Sequence, residues 1–122
     1  MTQEDKELLL KDIYARIPYG VKGCCEGETF RTTPLHWYAE HTLEYSVNYM
    51  VIKNGWRPYL FPLSSMSGKQ YVEFVNLGNA TSDDCFDGVN FNQLDWLNAH
   101  HFDYRGLIEK GLAIDAAGLN IY

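Results

Sequence analysis

The sequence predicts an α+β domain with an N-terminal helix, a small antiparallel sheet or partial barrel, and helices toward the C-terminus. Three observations predict it. Near the start, Leu9, Ile13 and Ile17 recur at helical spacing with Leu10 beside them. The middle of the chain alternates apolar and polar residues between turn signals. The last third carries helix caps and glycine stops. The chain has 122 residues with no linker or internal repeat, so residues 1–122 are read as a single domain.

Each element follows from local chemistry. Thr2 with Asp5 three positions on resembles a capping box with Asp in place of Glu, and it opens a helix over residues 3–16. Glu4 and Asp5 suit the positive end of its dipole, and Pro18 disfavours helical geometry at Ile17 and so ends it. Between Tyr19 and Trp37, Gly, Thr, Cys, Val and aromatics predict a hairpin that turns at Glu26-Gly27-Glu28. Leu43, Tyr45, Val47, Tyr49 and Val51 alternate with polar residues, which predicts a strand over 43–52. Lys53-Asn54-Gly55 then supplies a hairpin turn. Trp56 to Phe61 reads as a returning strand, placed by Pro58 at a sheet edge or a bulge because proline cannot donate to a ladder.

Serines at 64, 65 and 67 offer N-caps for a short helix that carries Tyr71, Phe74, Val75 and Leu77 and stops at Gly78. Residues 79–90 read as a polar, acidic surface loop. Asn90 with Gln93 is a second capping box, opening a helix to about His101. A shorter turn carries Leu107, Ile108 and Leu112 between Gly106 and Gly111.

Composition narrows the function. Apolar residues make up 46% and charged residues 21%, which is the composition of a packed globular protein. Ten Lys and Arg against sixteen Asp and Glu give a net charge of −6, so the mean field repels phosphate backbones and anionic lipid. General nucleic-acid binding and membrane binding are therefore not expected. The polar, acidic start Met1-Thr2-Gln3-Glu4-Asp5 is unlike a secretory signal, and the cytoplasm is the expected compartment. Three cysteines, Cys24, Cys25 and Cys85, two of them adjacent, make a poor disulfide framework and agree with a reducing compartment.

Candidate chemistry is sparse. His36 and His41 lie on opposite faces of a strand and about 140° apart on a helix, and the adjacent His100 and His101 diverge, so no metal ligand set closes. Asp83-Asp84-Cys85-Phe86-Asp87-Gly88 begins like a calcium loop, but Leu94 stands where a bidentate Glu should close it. The acids around Cys85 disfavour its thiolate, and Cys24 and Cys25 read as small core residues. There is no phosphate-cradling glycine loop, nucleophile elbow or Walker lysine. No cofactor is expected.

Three segments resemble a family of small uncharacterised proteins of Bacteroides-type gut bacteria and their phages or prophages. They are Thr2 to Asp12 with Arg16 to Lys22, then Arg57-Pro58-Tyr59-Leu60-Phe61-Pro62-Leu63-Ser64-Ser65-Met66, and then His100-His101-Phe102-Asp103-Tyr104-Arg105-Gly106-Leu107-Ile108 through Ala113. After Ser-Ser-Met that family usually continues with Thr and a run of Glu, where this chain has Ser67-Gly68-Lys69-Gln70. The resemblance implies a phage or mobile-element context and assigns no catalytic residue.

The leading expectation is a non-enzymatic accessory protein that binds another protein. Nine Tyr, six Phe and three Trp are a large aromatic supply for so small a core, and Tyr and Trp are preferred interface anchors. The alternative is a small hydrolase or transferase whose site is assembled by the fold from His100, His101 and Asp103 beside Arg105. A pocket joining these groups to another acid or a cysteine would favour that alternative. Residues 100–112 are otherwise expected to close the core through Phe102, Tyr104, Leu107, Ile108 and Leu112, with Arg105 and the histidines at its edge.

Overall fold

A computed structural model describes residues 1–25, 33–34, 43–78 and 90–122, with 33–34 and 43–44 described by backbone alone. The first helix, α1, spans Gln3–Arg16. Its Thr2 Oγ1 accepts from the Asp5 N–H at 3.1 Å, so the expected cap forms. Beyond it Pro18 sits in a single 3-10 turn, Ile17–Tyr19, that ends on Gly20. The face α1 buries is Leu9, Asp12, Ile13 and Arg16, one helical stripe of which half is charged.

Strands β1 (Lys22–Cys24) and β2 (Thr33–Pro34) pair antiparallel with Lys22 opposite Pro34, so the expected hairpin pairing is present. Its connecting residues 26–32 lie outside the described residues. The expected strand over 43–52 is instead a helix. α2 covers Leu43–Asn48 and runs on into a π-helical turn, Tyr49–Lys53. Burial explains the outcome, since Ser46, Val47, Met50 and Val51 are buried while Tyr45, Tyr49 and Ile52 face solvent. That is a helical stripe, and a strand with Val47 inward would have had to bury both tyrosines with it. Gly55, at φ 64°, then leaves the helix in the left-handed conformation rather than turning a hairpin.

Strand β3 (Arg57–Pro62) lies inside the sheet, not at its edge. It pairs antiparallel with β1 and parallel with both β4 (Phe102–Asp103) and β5 (Ile114–Asp115), so the sheet is mixed and open rather than antiparallel or barrel-like. The Leu60 carbonyl accepts from Ala116 N at 2.8 Å, and the Phe61 N–H donates to the His101 carbonyl at 2.8 Å. These two groups belong to one peptide and point opposite ways, so β4 and β5 flank β3 on opposite sides. By the same alternation the missing N–H of Pro58 falls on the β5 side, before β5 begins at Ile114. A proline is tolerated there because no ladder bond is lost.

A 3-10 turn, Leu63–Ser65, leads to α3 (Gly68–Gly78), which opens on a full capping box. Gln70 N donates to Ser67 Oγ at 3.1 Å, and Ser67 N donates to Gln70 Oε1 at 2.9 Å. α4 (Phe91–Ala99) opens on the expected Asn90 and Gln93 box. Residues 107–111 form hydrogen-bonded turns, so α4 is the one helix among the described residues of the last third. The main core joins Leu9 and Ile13 of α1, Val47, Met50 and Val51, Trp56, Leu60, Leu107 and Leu112. Gly23 is required at one close approach, because a Cβ there would overlap the Trp56 ring and the Arg57 carbonyl. A second cluster places Trp96, Leu97 and Phe102 under Phe74 and Leu77 of α3.

Candidate functional site

A groove of about 950 Å³ is walled by α1, α3, α4 and the turn after β4. Its apolar surface comes from Leu8, Leu63, Met66, Tyr71, Phe74, Leu94 and Leu97. α3 forms one wall and has no buried residue; Tyr71 is 60% exposed and Val72 57%. An amphipathic helix normally exists to bury its apolar face. Here Tyr71 stands open at the groove, and Val72 and Val75 are exposed elsewhere on the helix.

The opposite wall is cationic. Among the described residues, Lys11 and Arg105 are the charged ones lining the groove, and no acid lines it. Arg105 is held from below, its Nε donating to Asp12 Oδ1 at 3.1 Å and its Nη2 to the Tyr104 hydroxyl at 3.2 Å. Asp12 is fully buried and also takes Arg16, through Nε at 2.7 Å and Nη2 at 3.1 Å. Arg16 is equally buried, and its Nη2 donates on to the Phe102 carbonyl at 2.6 Å, tying α1 to β4. Both guanidiniums lie against the Tyr104 ring, at 5.0 and 4.9 Å from its centroid. One carboxylate therefore serves two guanidiniums, and a positive charge is left in excess at the groove wall.

The four residues singled out as alternative catalytic candidates are adjacent in sequence, yet they face separate tasks. His100 stacks on Trp96 with ring centroids 4.1 Å apart, and its Nδ1 lies 2.9 Å from the Trp96 carbonyl. His101 is buried at φ 62° and stacks on Tyr122 at 3.7 Å. Burial, and then the neighbouring Arg16, His100 and Lys22, push its pKa down to about 4, so it is neutral at pH 7. Both Asp103 oxygens are engaged by backbone, accepting from Leu107 N at 2.9 Å and Ile108 N at 3.0 Å. Arg105 lines the groove, whereas His100 lines a separate hollow of about 290 Å³ with Phe61, Ser65, Gln70 and Phe102. Neither cavity is lined by His101 or Asp103.

Cys24 is buried in β1 and Cys25 is half-buried beside it. His36, His41, Cys85 and the acidic 83–88 stretch lie outside the described residues. Among the described residues no group of three His, Cys, Asp or Glu could hold a metal ion, and no helix is long and apolar enough to cross a membrane.

Sequence reasoning missed the Asp12, Arg16 and Arg105 cluster. Its signal was present, since Asp12 and Arg16 fall at i+3 and i+7 from Leu9 on the stripe that also carries Ile13. A charged pair four apart on the buried face of a helix marks an ion pair taken into the core. The groove draws Leu8 and Lys11 from α1, Leu63 and Met66 from the segment between β3 and α3, and Tyr104 and Arg105 from the turn after β4. Compared with known protein families, curated proteins and solved structures, the chain shows no match.

Proposed function

We propose that the chain is a binding module, an accessory protein of a phage or mobile element, that acts in the cytoplasm by holding an apolar face of another protein in the α1, α3 and α4 groove. The observation that carries this reading is the open groove beside a helix none of whose residues is fully buried. A contiguous apolar concavity rimmed by polar groups is the usual form of a recognition site. The catalytic alternative draws less support from the geometry. Asp103 is saturated by two amides, His101 is stacked and buried, and His100 and Arg105 line different cavities.

The test is site-specific photo-cross-linking during phage induction in a Bacteroides-type host, with a photoreactive residue at Tyr71 in the groove or at the exposed Glu109 outside it. The expected result is a protein adduct from position 71 that is absent from position 109 and lost when Met66→Glu places a charge in the groove. Equal adducts from both positions, or a 71 adduct indifferent to Met66→Glu, would overturn the proposal.

A further inference from the structure

We infer that the occupant of the groove is an amphipathic helix bearing a carboxylate beside its apolar stripe, seated so that the acid meets Lys11 and Arg105. The inference rests on the binding reading above and adds the chemistry of the partner.

Backbone chemistry selects a helix. The described groove residues come from α1, α3, α4, the segment between β3 and α3 and the turn after β4, and none of them belongs to a strand. An extended peptide laid there would face apolar side chains with its own N–H and C=O groups unpaired, at a desolvation cost for each. A helix satisfies those groups internally and presents side chains at i, i+3, i+4 and i+7 to such a groove.

Charge selects an acid on one flank of that helix. In a chain of net charge −6 this wall carries, among the described residues, two cations and no acid. Lys11 is exposed and has no ion pair among the described residues. Arg105 spends Nε on Asp12 and Nη2 on Tyr104, and its Nη1 makes no hydrogen bond among the described residues. Asp12 cannot neutralise the wall, because Arg16 claims both of its oxygens from within the core. Arg105 is thus held rigid at its inner edge with a donor left over, which spares a partner the entropy of ordering it. The aromatic wall, Tyr71 and Phe74, lies across on α3 and faces the apolar stripe.

The experiment is selection of helical peptides from a displayed library, with the stripe and its flanking positions randomised, against the immobilised full chain. Selected peptides should share an apolar stripe flanked by Asp or Glu on one side. Their affinity should fall about tenfold, the equivalent of ~1.4 kcal/mol, for Lys11→Gln with Arg105→Gln. Changing the peptide acid to its amide should cost the same against the native chain and nothing further against that double variant. Lys11→Gln alone, at an exposed position, keeps the test valid should Arg105→Gln disturb folding, and it should give a smaller loss of the same sign. Apolar peptides selected without an acid, or indifferent to both substitutions, would overturn the inference while leaving the groove as a binding site. Peptides that bind equally well to Tyr71→Glu, or a library that yields no binder, would overturn the groove reading itself.

Discussion

Asp12 is the residue on which most depends, because a single buried carboxylate holds α1 to the turn after β4 through two guanidiniums. Removing it strands one fully buried cation and one mostly buried one. Asp12→Ala should therefore cost ~3–5 kcal/mol in denaturant unfolding, the range for breaking a buried pair by deleting one partner. Replacing Asp12 and Arg16 together by leucine and methionine should cost less than Asp12→Ala alone, since the fully buried cation leaves with the carboxylate and only Arg105, whose side chain reaches solvent, loses its partner. If the double variant is as unstable as the single one, the cluster is not the source of the loss. His101 gives a second residue-scale outcome. Its folded pKa, near 4, lies below the ordinary value of 6.5, so between those values the unfolded chain binds more protons than the folded one. The stability His101 contributes is complete above pH 6.5 and is lost as pH falls through 4. His101→Asn keeps a residue that tolerates φ 62° and removes the titration. A thermal midpoint measured from pH 7 to pH 4 should fall less steeply in that variant than in the native chain. Parallel slopes would show that His101 is not buried neutral.

At the scale of elements, the caps were legible and the period was not. Thr2 and Asn90 each form the side-chain to backbone bond their spacing predicts, and Ser67 is the one of the three serines offered that caps α3, because a cap is settled within four residues. Residues 43–53 satisfy two periods at once, since Val47 and Val51 belong both to an alternating row and to a helical stripe, and tertiary packing against Leu9, Ile13 and Trp56 chose the helix. The parallel pairing of β4 and β5 with β3 was likewise beyond reach, for two-residue strands carry no pattern from which to read direction. Within the 100–112 stretch Phe102, Leu107 and Leu112 are buried as expected, Tyr104 and Ile108 are partly buried, and His101 is buried rather than at the edge of the core. Leu107 is fully buried in the main core, and Asp103 fastens the turn beneath it. Leu107→Ala should then cost ~2–5 kcal/mol, by lost transfer energy and the cavity left behind. Full stability in that variant would mean the turn packs differently from the arrangement described.

The described residues divide their burial unevenly, and the groove lies beside a helix that has no fully buried residue. The main core gathers α1, the α2 and π-helical segment, β3 and the 107–113 turn around Trp56, Leu60 and Leu107, all fully buried. α3 contributes none of the buried residues and is held on one side, through Phe74 and Leu77 against Trp96 and through Gln93 Nε2 to the Phe74 carbonyl at 3.1 Å. An isolated helix of this length is marginal in water, so among the described residues α3 rests on that one-sided packing, its Ser67 cap and the Asn90 Nδ2 bond to the Leu77 carbonyl at 2.9 Å. Its groove wall was illegible in the sequence for the same reason, since an apolar stripe on a helix is ordinarily read as core-facing, and only the packing shows it uncovered. α3 should accordingly open far below the global unfolding free energy. In native-state hydrogen exchange, its amides should exchange by local opening, with rates insensitive to Leu107→Ala, while those of α1 and β3 should accelerate in step with the lost global stability. A helix that fills the groove supplies the burial α3 lacks, and saturating binder should slow exchange in α3 more than in β1. Protection of α3 equal to that of α1 in the unbound chain would show that the wall is already fixed, and that closing over a partner is no part of how the groove works.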